Sequence, residues 1–210
     1  TMRLLRLFWG AVSIIGGPDL HNNPTVKQSV MVDDIQIRPY ESRDLKQVHK
    51  LFAEGMSDNA RDDVDKMADR MQAYIQSSIE ADLSKIEETY MTGNGMFWVM
   101  ERRKDNQIVG MVGFQDKKST EEQQFNAAVG ELRRMSVHRL ERGKGLGKIL
   151  VQHLLAYART KKMRVILSTG NWMGPAKKLY KSVGFVEKDT VAYTSPSGKD
   201  VEITNFEMDF

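Results

Sequence analysis

The chain has no cysteine and only four histidines in 210 residues, and each scarcity removes a class of chemistry. Without thiols there is no disulfide framework, no cysteine nucleophile and no cysteine-ligated zinc. His21, His49, His138 and His153 are too scattered to offer a metal-ligand spacing, so no metal is expected. Long hydrophobic runs are missing as well. The apolar stretch from Leu4 to Gly17, interrupted by Arg6, is too short to cross a bilayer as a helix. No small-x-small cleavage site surrounds Gly16-Gly17-Pro18. Residues 1–30 therefore read as an apolar segment and linker, packed on the domain or disordered, with a peripheral membrane contact as the alternative. The absence of cysteine is compatible with a reducing compartment, and the expected location is cytoplasmic.

What is present suits one globular domain over residues 31–210, with 40% hydrophobic and 28% charged residues. The net charge is only +3, but its distribution is uneven. From Arg133 to Lys181 there are thirteen Lys or Arg residues against one acid, Glu141, while acids dominate from Asp58 to Glu88. A basic segment of this kind fits a polyanionic ligand. Few aromatic residues interleave it, which argues against nucleic acid as the partner.

Inside the basic segment lies Arg142-Gly143-Lys144-Gly145-Leu146-Gly147, between an apolar strand-like run (Leu132 to Val137) and an amphipathic helix. Glycines at alternate positions let backbone approach a ligand closely, and the following helix aims unpaired N–H groups and a positive dipole end at the same spot. The spacing is neither the nucleotide P-loop nor G-x-G-x-x-G, so both of those phosphate folds lose support.

Periodicity supplies the frame. Ile35 to Arg38 reads as a strand and Ser42 to Ala53 as a helix. Apolar residues from Val64 to Tyr90 recur at helical intervals, in a helix broken at most once. Strands follow over 96–102 and 108–115, joined through Lys104-Asp105-Asn106, then a polar loop over 117–127 and a strand over 129–138. A helix over 145–160, a buried strand over 165–169, a helix over 174–182 and strands over 186–193 and 201–208 complete a mixed sheet flanked by helices, an α/β (α+β) fold.

The order strand, Arg-x-x-Gly-x-Gly, helix, strand, Asn, helix is carried here by Glu131-Leu132-Arg133-Arg134-Met135-Ser136-Val137, the glycine loop, Asn171, and Leu179-Tyr180-Lys181-Ser182-Val183-Gly184-Phe185. This constellation resembles the GNAT superfamily of N-acetyltransferases over about residues 35–210. With Phe97-Trp98-Val99 and Val109-Gly110-Met111-Val112-Gly113, the phrasing looks most like the branch containing the cysteine-S-conjugate and aspartate N-acetyltransferases of animals. That branch usually carries a membrane-embedded segment before the Phe-Trp strand. Residues 56–90 of this chain are polar there instead.

The resemblance implies a mostly antiparallel sheet of about six or seven strands with about four helices, and acetyl-CoA as co-substrate. It implies direct transfer to a primary amine of a small molecule or amino-acid conjugate. A peptide lysine or N-terminus as acceptor, or a catalytically silent coenzyme-A-binding module, are the alternatives, and association as a homodimer stays open. N–H groups and side chains of Arg142, Gly143, Lys144, Gly145, Leu146, Gly147 and Lys148 would hold the pyrophosphate. A backbone N–H in Met135, Ser136 or Val137 would polarise the acetyl carbonyl, and Asn171 would bind the pantetheine arm. No Gly-x-Ser-x-Gly elbow surrounds Ser136, so its hydroxyl is not read as a nucleophile. Glu131 is the expected general base, since strict alternation would put it on the same sheet face as Val137. Tyr180 is the expected general acid toward the thiolate. Arg133 and Arg134 are read as a solvated face, with a substrate carboxylate as their alternative partner.

Overall fold

A computed structural model describes residues 30–32, 34–59, 66–117, 128–194 and 200–210. The apolar segment of residues 1–29 and most of the polar loop expected over 117–127 lie outside the described residues. The elements in chain order are β1 (Val30–Val32), β2 (Ile35–Pro39), α1 (Leu45–Asn59), α2 (Lys66–Ala81), α3 (Ile86–Tyr90), β3 (Met96–Arg102), β4 (Gln107–Lys117), β5 (Val129–Val137), α4 (Leu146–Thr160), β6 (Arg164–Gly170), α5 (Gly174–Ser182), β7 (Val186–Thr194) and β8 (Asp200–Met208).

One eight-stranded sheet runs β1-β2-β3-β4-β5-β6-β8-β7. Every neighbouring pair is antiparallel except β5 and β6, which α4 connects. A parallel pair needs a long crossover, and α4 provides it. The expected count of strands is exceeded by β1, three residues that pair with β2 just ahead of Ile35. The long helix expected over 64–90 breaks at Asp82, leaving α2 and a five-residue α3.

Apolar side chains fill both faces of the sheet. On one face, α4 and α5 cover a core that includes Trp98, Phe114, Leu132, Val137, Leu150, Leu154 and Phe206. On the other, α1, α2 and α3 cover Phe52, Ile75, Leu83, Tyr90, Phe97, Val99 and Met111. Strand β3 serves both, with Trp98 turned to the α4 side and Phe97 and Val99 to the α1–α3 side. That is why Met96 to Met100 is apolar throughout rather than alternating.

Helix α4 buries Leu146, Leu150, Val151, Leu154, Leu155 and Ala158 along one stripe. Replacing fully buried Leu154 by alanine should cost about 2–5 kcal/mol of unfolding free energy, measured by urea denaturation. A loss smaller than about 1 kcal/mol would show that this helix face is not at the centre of the core.

Candidate active site

Strand β5 changes neighbours along its length. It pairs with β6 only at Val129↔Arg164, Gly130↔Val165 and Glu131↔Ile166. Beyond Glu131 the two strands part, while β6 continues on β8 and β5 continues on β4. Within β5 the register against β4 slips between Met111 and Gly113, where Ser136 and Arg133 are their partners, so one extra residue is accommodated. Arg134, with φ +53°, takes up the irregularity.

This bulge reverses the face that each later residue presents, and it corrects the placement of Glu131. Leu132 before the bulge and Val137 after it both join the α4-side core, although five positions separate them. Glu131, adjacent to Leu132, therefore faces the α1–α3 side, opposite to Val137 and not alongside it. Met135 packs near Gly147 of α4, whereas the Ser136 hydroxyl lies against Gly55 of α1. The sequence carried the signal. In Glu131-Leu132-Arg133-Arg134-Met135-Ser136-Val137 the doubled arginine breaks the polar–apolar alternation at the bulge itself.

Backbone groups face the parting. The His138 N–H donates to the Val109 carbonyl at 2.8 Å, toward β4. Val137 lies opposite Gly110, and its own N–H and carbonyl therefore point away from β4, to the side where β6 has withdrawn. By the same alternation the Met135 N–H points that way. The Val137 carbonyl accepts Arg142 Nε at 2.9 Å.

The glycine loop stands at the mouth of this parting, ahead of α4. Gly143 and Gly145 have φ +81° and +82°, and a Cβ on either would meet nothing within 4 Å. Glycine is thus demanded by backbone conformation, and open space lies over both. The first intrahelical bond of α4 runs from the Ile149 N–H to the Gly145 carbonyl at 3.2 Å. Among the described residues, the N–H groups of Gly143 to Lys148 donate to no backbone carbonyl. Six successive donors at a helix N-terminus make an anion cradle.

Several expected ligand groups have internal partners. The Arg142 N–H donates to the Arg139 carbonyl at 3.3 Å, so the cradle begins at Gly143. The Arg142 guanidinium reaches Asp58 of α1 at 3.3 Å. Lys144 Nζ lies 2.7 Å from Glu141, which also accepts Arg102 Nη1 at 2.6 Å. Lys144 and Arg102 hold the buried Glu141 carboxyl below its usual range. Lys148 is exposed beside the loop, and Leu146 is buried in the core. Asn171 donates to Glu202 at 2.6 Å and accepts from Lys177 at 2.7 Å and Thr204 at 3.2 Å. Its amide is thus already engaged in fixing the β6–α5 turn.

The two expected catalytic residues approach from opposite faces. Glu131 is half-buried, with Oε2 2.6 Å from Lys117 Nζ. Tyr180 on α5 belongs to the α4-side core, edge-on to Phe185 at 5.8 Å and tilted against Phe206 at 6.1 Å. Burial pushes the Tyr180 phenol up to about 12. Arg134 is neither solvated nor open to a carboxylate, because Asp82 pairs with it in a buried contact of 2.5 Å. Arg133 donates to Gln115 at 3.0 Å. Asp82 and Asp58 were not identifiable as site residues from spacing, because their partners Arg134 and Arg142 are distant in sequence, and the same holds for the contact of Glu141 with Arg102.

An eight-stranded mixed sheet parts beside a helix-capping glycine loop, and comparison with known proteins gives this arrangement its family. The chain belongs to the acetyltransferase (GNAT) family, whose description matches residues 64–185. It is 35% identical over 113 residues to rat N-acetyltransferase family 8 member 2, covering 53% of this chain and 48% of that protein. Zebrafish N-acetylaspartate synthetase is 34% identical over 127 residues, covering 59% and 42%. The chain spans about half the length of the curated relatives it matches. A GNAT-family acetyltransferase from Staphylococcus aureus Mu50 shares the fold with a TM-score of 0.60 at 19% identity, over 82% of this chain and 98% of that one. So does yncA, a putative acetyltransferase from Salmonella typhimurium with its cofactor acetyl-CoA, at 0.58 and 17%, over 84% and 94%. Among the described residues no cluster could hold a metal, and no helix is long and apolar enough to cross a membrane.

The burial of Tyr180 has a pH consequence. A phenol whose folded-state pKa is raised contributes stability that is complete below its unfolded value of about 10. That contribution is lost as pH climbs through the folded value of about 12. Urea melts at about pH 9 and about pH 11 should show a smaller alkaline loss of stability in Tyr180→Phe than in the native chain. Equal losses would mean that the hydroxyl titrates as if in water.

Proposed function

We propose that this chain transfers an acetyl group from acetyl-CoA directly to the primary amine of a small molecule or amino-acid conjugate, within a domain spanning residues 31–210. The observation that carries the reading is that β5 loses β6 after Glu131 while the N–H groups from Gly143 to Lys148, just ahead of α4, donate to no backbone carbonyl among the described residues. Two supports come from similar proteins. A structural neighbour is described with its cofactor acetyl-CoA, and the curated relatives are N-acetyltransferases, one of them an N-acetylaspartate synthetase.

The cradle suits a pyrophosphate, with Lys148 adding charge and Lys144 joining when it exchanges Glu141 for phosphate. The parting beside Met135 and Val137 admits an extended pantetheine arm as a strand-like neighbour. Of the two N–H groups facing it, Met135 is the nearer to Glu131. Four residues of strand measure at most about 13 Å, so Glu131 acts on the amine through water. Ser136 contributes its backbone position, its side chain being turned to α1.

Acetyl-CoA supplies the activated acyl group, and the chain manages protons. An alkylammonium of pKa about 10 must lose its proton before it attacks. Glu131, on the α1–α3 face, takes that proton after releasing Lys117. Tyr180 waits on the opposite face. With its pKa near 12 it keeps its proton at neutral pH and donates a hydrogen bond to the departing thiolate. Full proton transfer from Tyr180 to a thiolate of pKa about 8.5 would be uphill, so Tyr180 stabilises the thiolate, which is protonated through solvent as the acylated nitrogen sheds its second proton to form the amide. No cysteine exists to carry a covalent acetyl group.

Calorimetry with acetyl-CoA, followed by detection of released thiol over amino acids, cysteine conjugates, polyamines and lysine peptides, tests the reading. Binding with amine-dependent thiol release is expected. Binding without release over every acceptor would leave a silent coenzyme-A module, and no binding would reject the assignment. Gly145→Ala should weaken acetyl-CoA binding while costing about 1–2 kcal/mol of stability, because its φ is left-handed. Unchanged affinity would remove the cradle. Glu131→Gln should retain binding, lower turnover about a hundredfold and alter the pH–rate profile. An unaltered profile would exclude Glu131 as the base.

A further inference from the structure

Arg134 is one of three described non-glycine residues with positive φ, and the only one of them inside a strand. It occupies the point where β5 slips register. Side chains with a Cβ avoid that conformation unless their surroundings impose it. The surroundings here are specific. The Arg134 Nε and Nη2 donate to Asp82 Oδ2 and Oδ1 at 2.8 and 2.5 Å, a two-pronged pair. Nη1 donates to Ser78 Oγ at 3.0 Å and to the Tyr74 hydroxyl at 3.2 Å. The guanidinium carbon lies 5.1 Å from the centre of the Phe52 ring. Asp82 accepts in addition from the Tyr90 hydroxyl. The side chains of Arg134 and Asp82 are only 7% and 6% exposed.

An ion pair buried so deeply is a poor device for stability, because desolvation offsets much of its attraction and apolar residues often serve equally well. What the pair supplies is geometry. A planar fork gripped at both prongs fixes the position and the rotation of the guanidinium. The α2–α3 break at Asp82 places the carboxylate where it draws residue 134 toward α2. The phase of β5 changes at that residue. Met135 and Val137 consequently turn their side chains to α4 and their N–H groups into the parting from β6.

We infer that the Asp82–Arg134 ion pair is a positioning clamp, which holds the β5 bulge and so aims the Met135 and Val137 N–H groups at the thioester carbonyl. The inference rests on the acetyl transfer proposed above. Neither side chain touches the reacting atoms. The clamp acts through the backbone, so it should govern polarisation of the carbonyl far more than grip on the nucleotide.

The test is infrared difference spectroscopy of acetyl-CoA labelled with carbon-13 at the carbonyl, bound to the native chain, to Asp82→Asn and to Arg134→Lys, with calorimetry on coenzyme A in parallel. In the native chain the carbonyl stretch should fall on binding, as donors polarise the bond. In both variants it should return toward the free-ligand frequency, while coenzyme A affinity stays within about threefold, as expected of groups that act only where charge develops. If Asp82→Asn does not fold, Arg134→Lys decides, since it keeps the charge beside Asp82 and loses only the fork. An unmoved carbonyl band in a folded variant overturns the clamp. So does a parallel loss of coenzyme A affinity, or failure of both variants to fold, because each would make the pair a stability element. The native arm keeps the two proposals apart: absence of acetyl-CoA binding there rejects the reaction itself, whereas native binding with unmoved variants rejects only the clamp.

Discussion

A strand can offer its backbone to a ligand only where it has lost a neighbouring strand, and β5 loses β6 after Glu131. A strand in the middle of a sheet would ordinarily satisfy its N–H and carbonyl groups on both sides. Here one edge is left open within an otherwise continuous eight-stranded sheet. The opening persists because each strand is held elsewhere, β5 by β4 and β6 by β8. Helix α4 bridges the gap on one face and is anchored there by Leu146, Leu150 and Leu154. The apolar core thus keeps two strands apart as well as holding the layers together.

The bulge at Arg134 gives this opening its chemistry. Without it, Glu131 and Val137 would share a face, and the base and coenzyme of the proposed reaction would crowd the same side of the sheet. With it, Glu131 looks toward α1–α3 and Tyr180 toward the other core. In the proposed reaction an amine would then arrive from one face and the thiolate be stabilised from the other, with the carbonyl between them. The acceptor side is also tied to the glycine loop. Arg142 links Asp58 on α1 to the Val137 carbonyl, and Glu141 links the loop to Arg102 at the end of β3.

Much of this was readable in the residues. The glycine loop, the boundaries of α5 and the strands flanking the loop follow from local pattern, where composition and backbone conformation agree. The facing of Glu131 did not follow from strict alternation, because one extra residue inverts it, although the Arg133-Arg134 doublet marks the spot. The partners of Arg134, Arg142, Lys144 and Asn171 were beyond local reading. Asp82, Asp58 and Glu202 are brought to Arg134, Arg142 and Asn171 by tertiary packing, and even where the partner is local, as Glu141 is to Lys144, a basic residue looks the same in sequence whether it awaits a phosphate or is already paired. The motif marked Tyr180 as the expected acid but did not show how deeply the core buries it. The height of its pKa required Phe185 and Phe206 around it.

In the proposed reaction the parted edge of β5 and the N-terminus of α4 form one continuous binding surface. Residue-resolved amide hydrogen exchange, with and without acetyl-CoA, addresses it directly. New protection is expected at Met135, Val137 and Gly143 to Lys148 together, with Val129 to Glu131, already paired to β6, unchanged. Protection confined to the glycine loop, or spread evenly over the sheet, would contradict it.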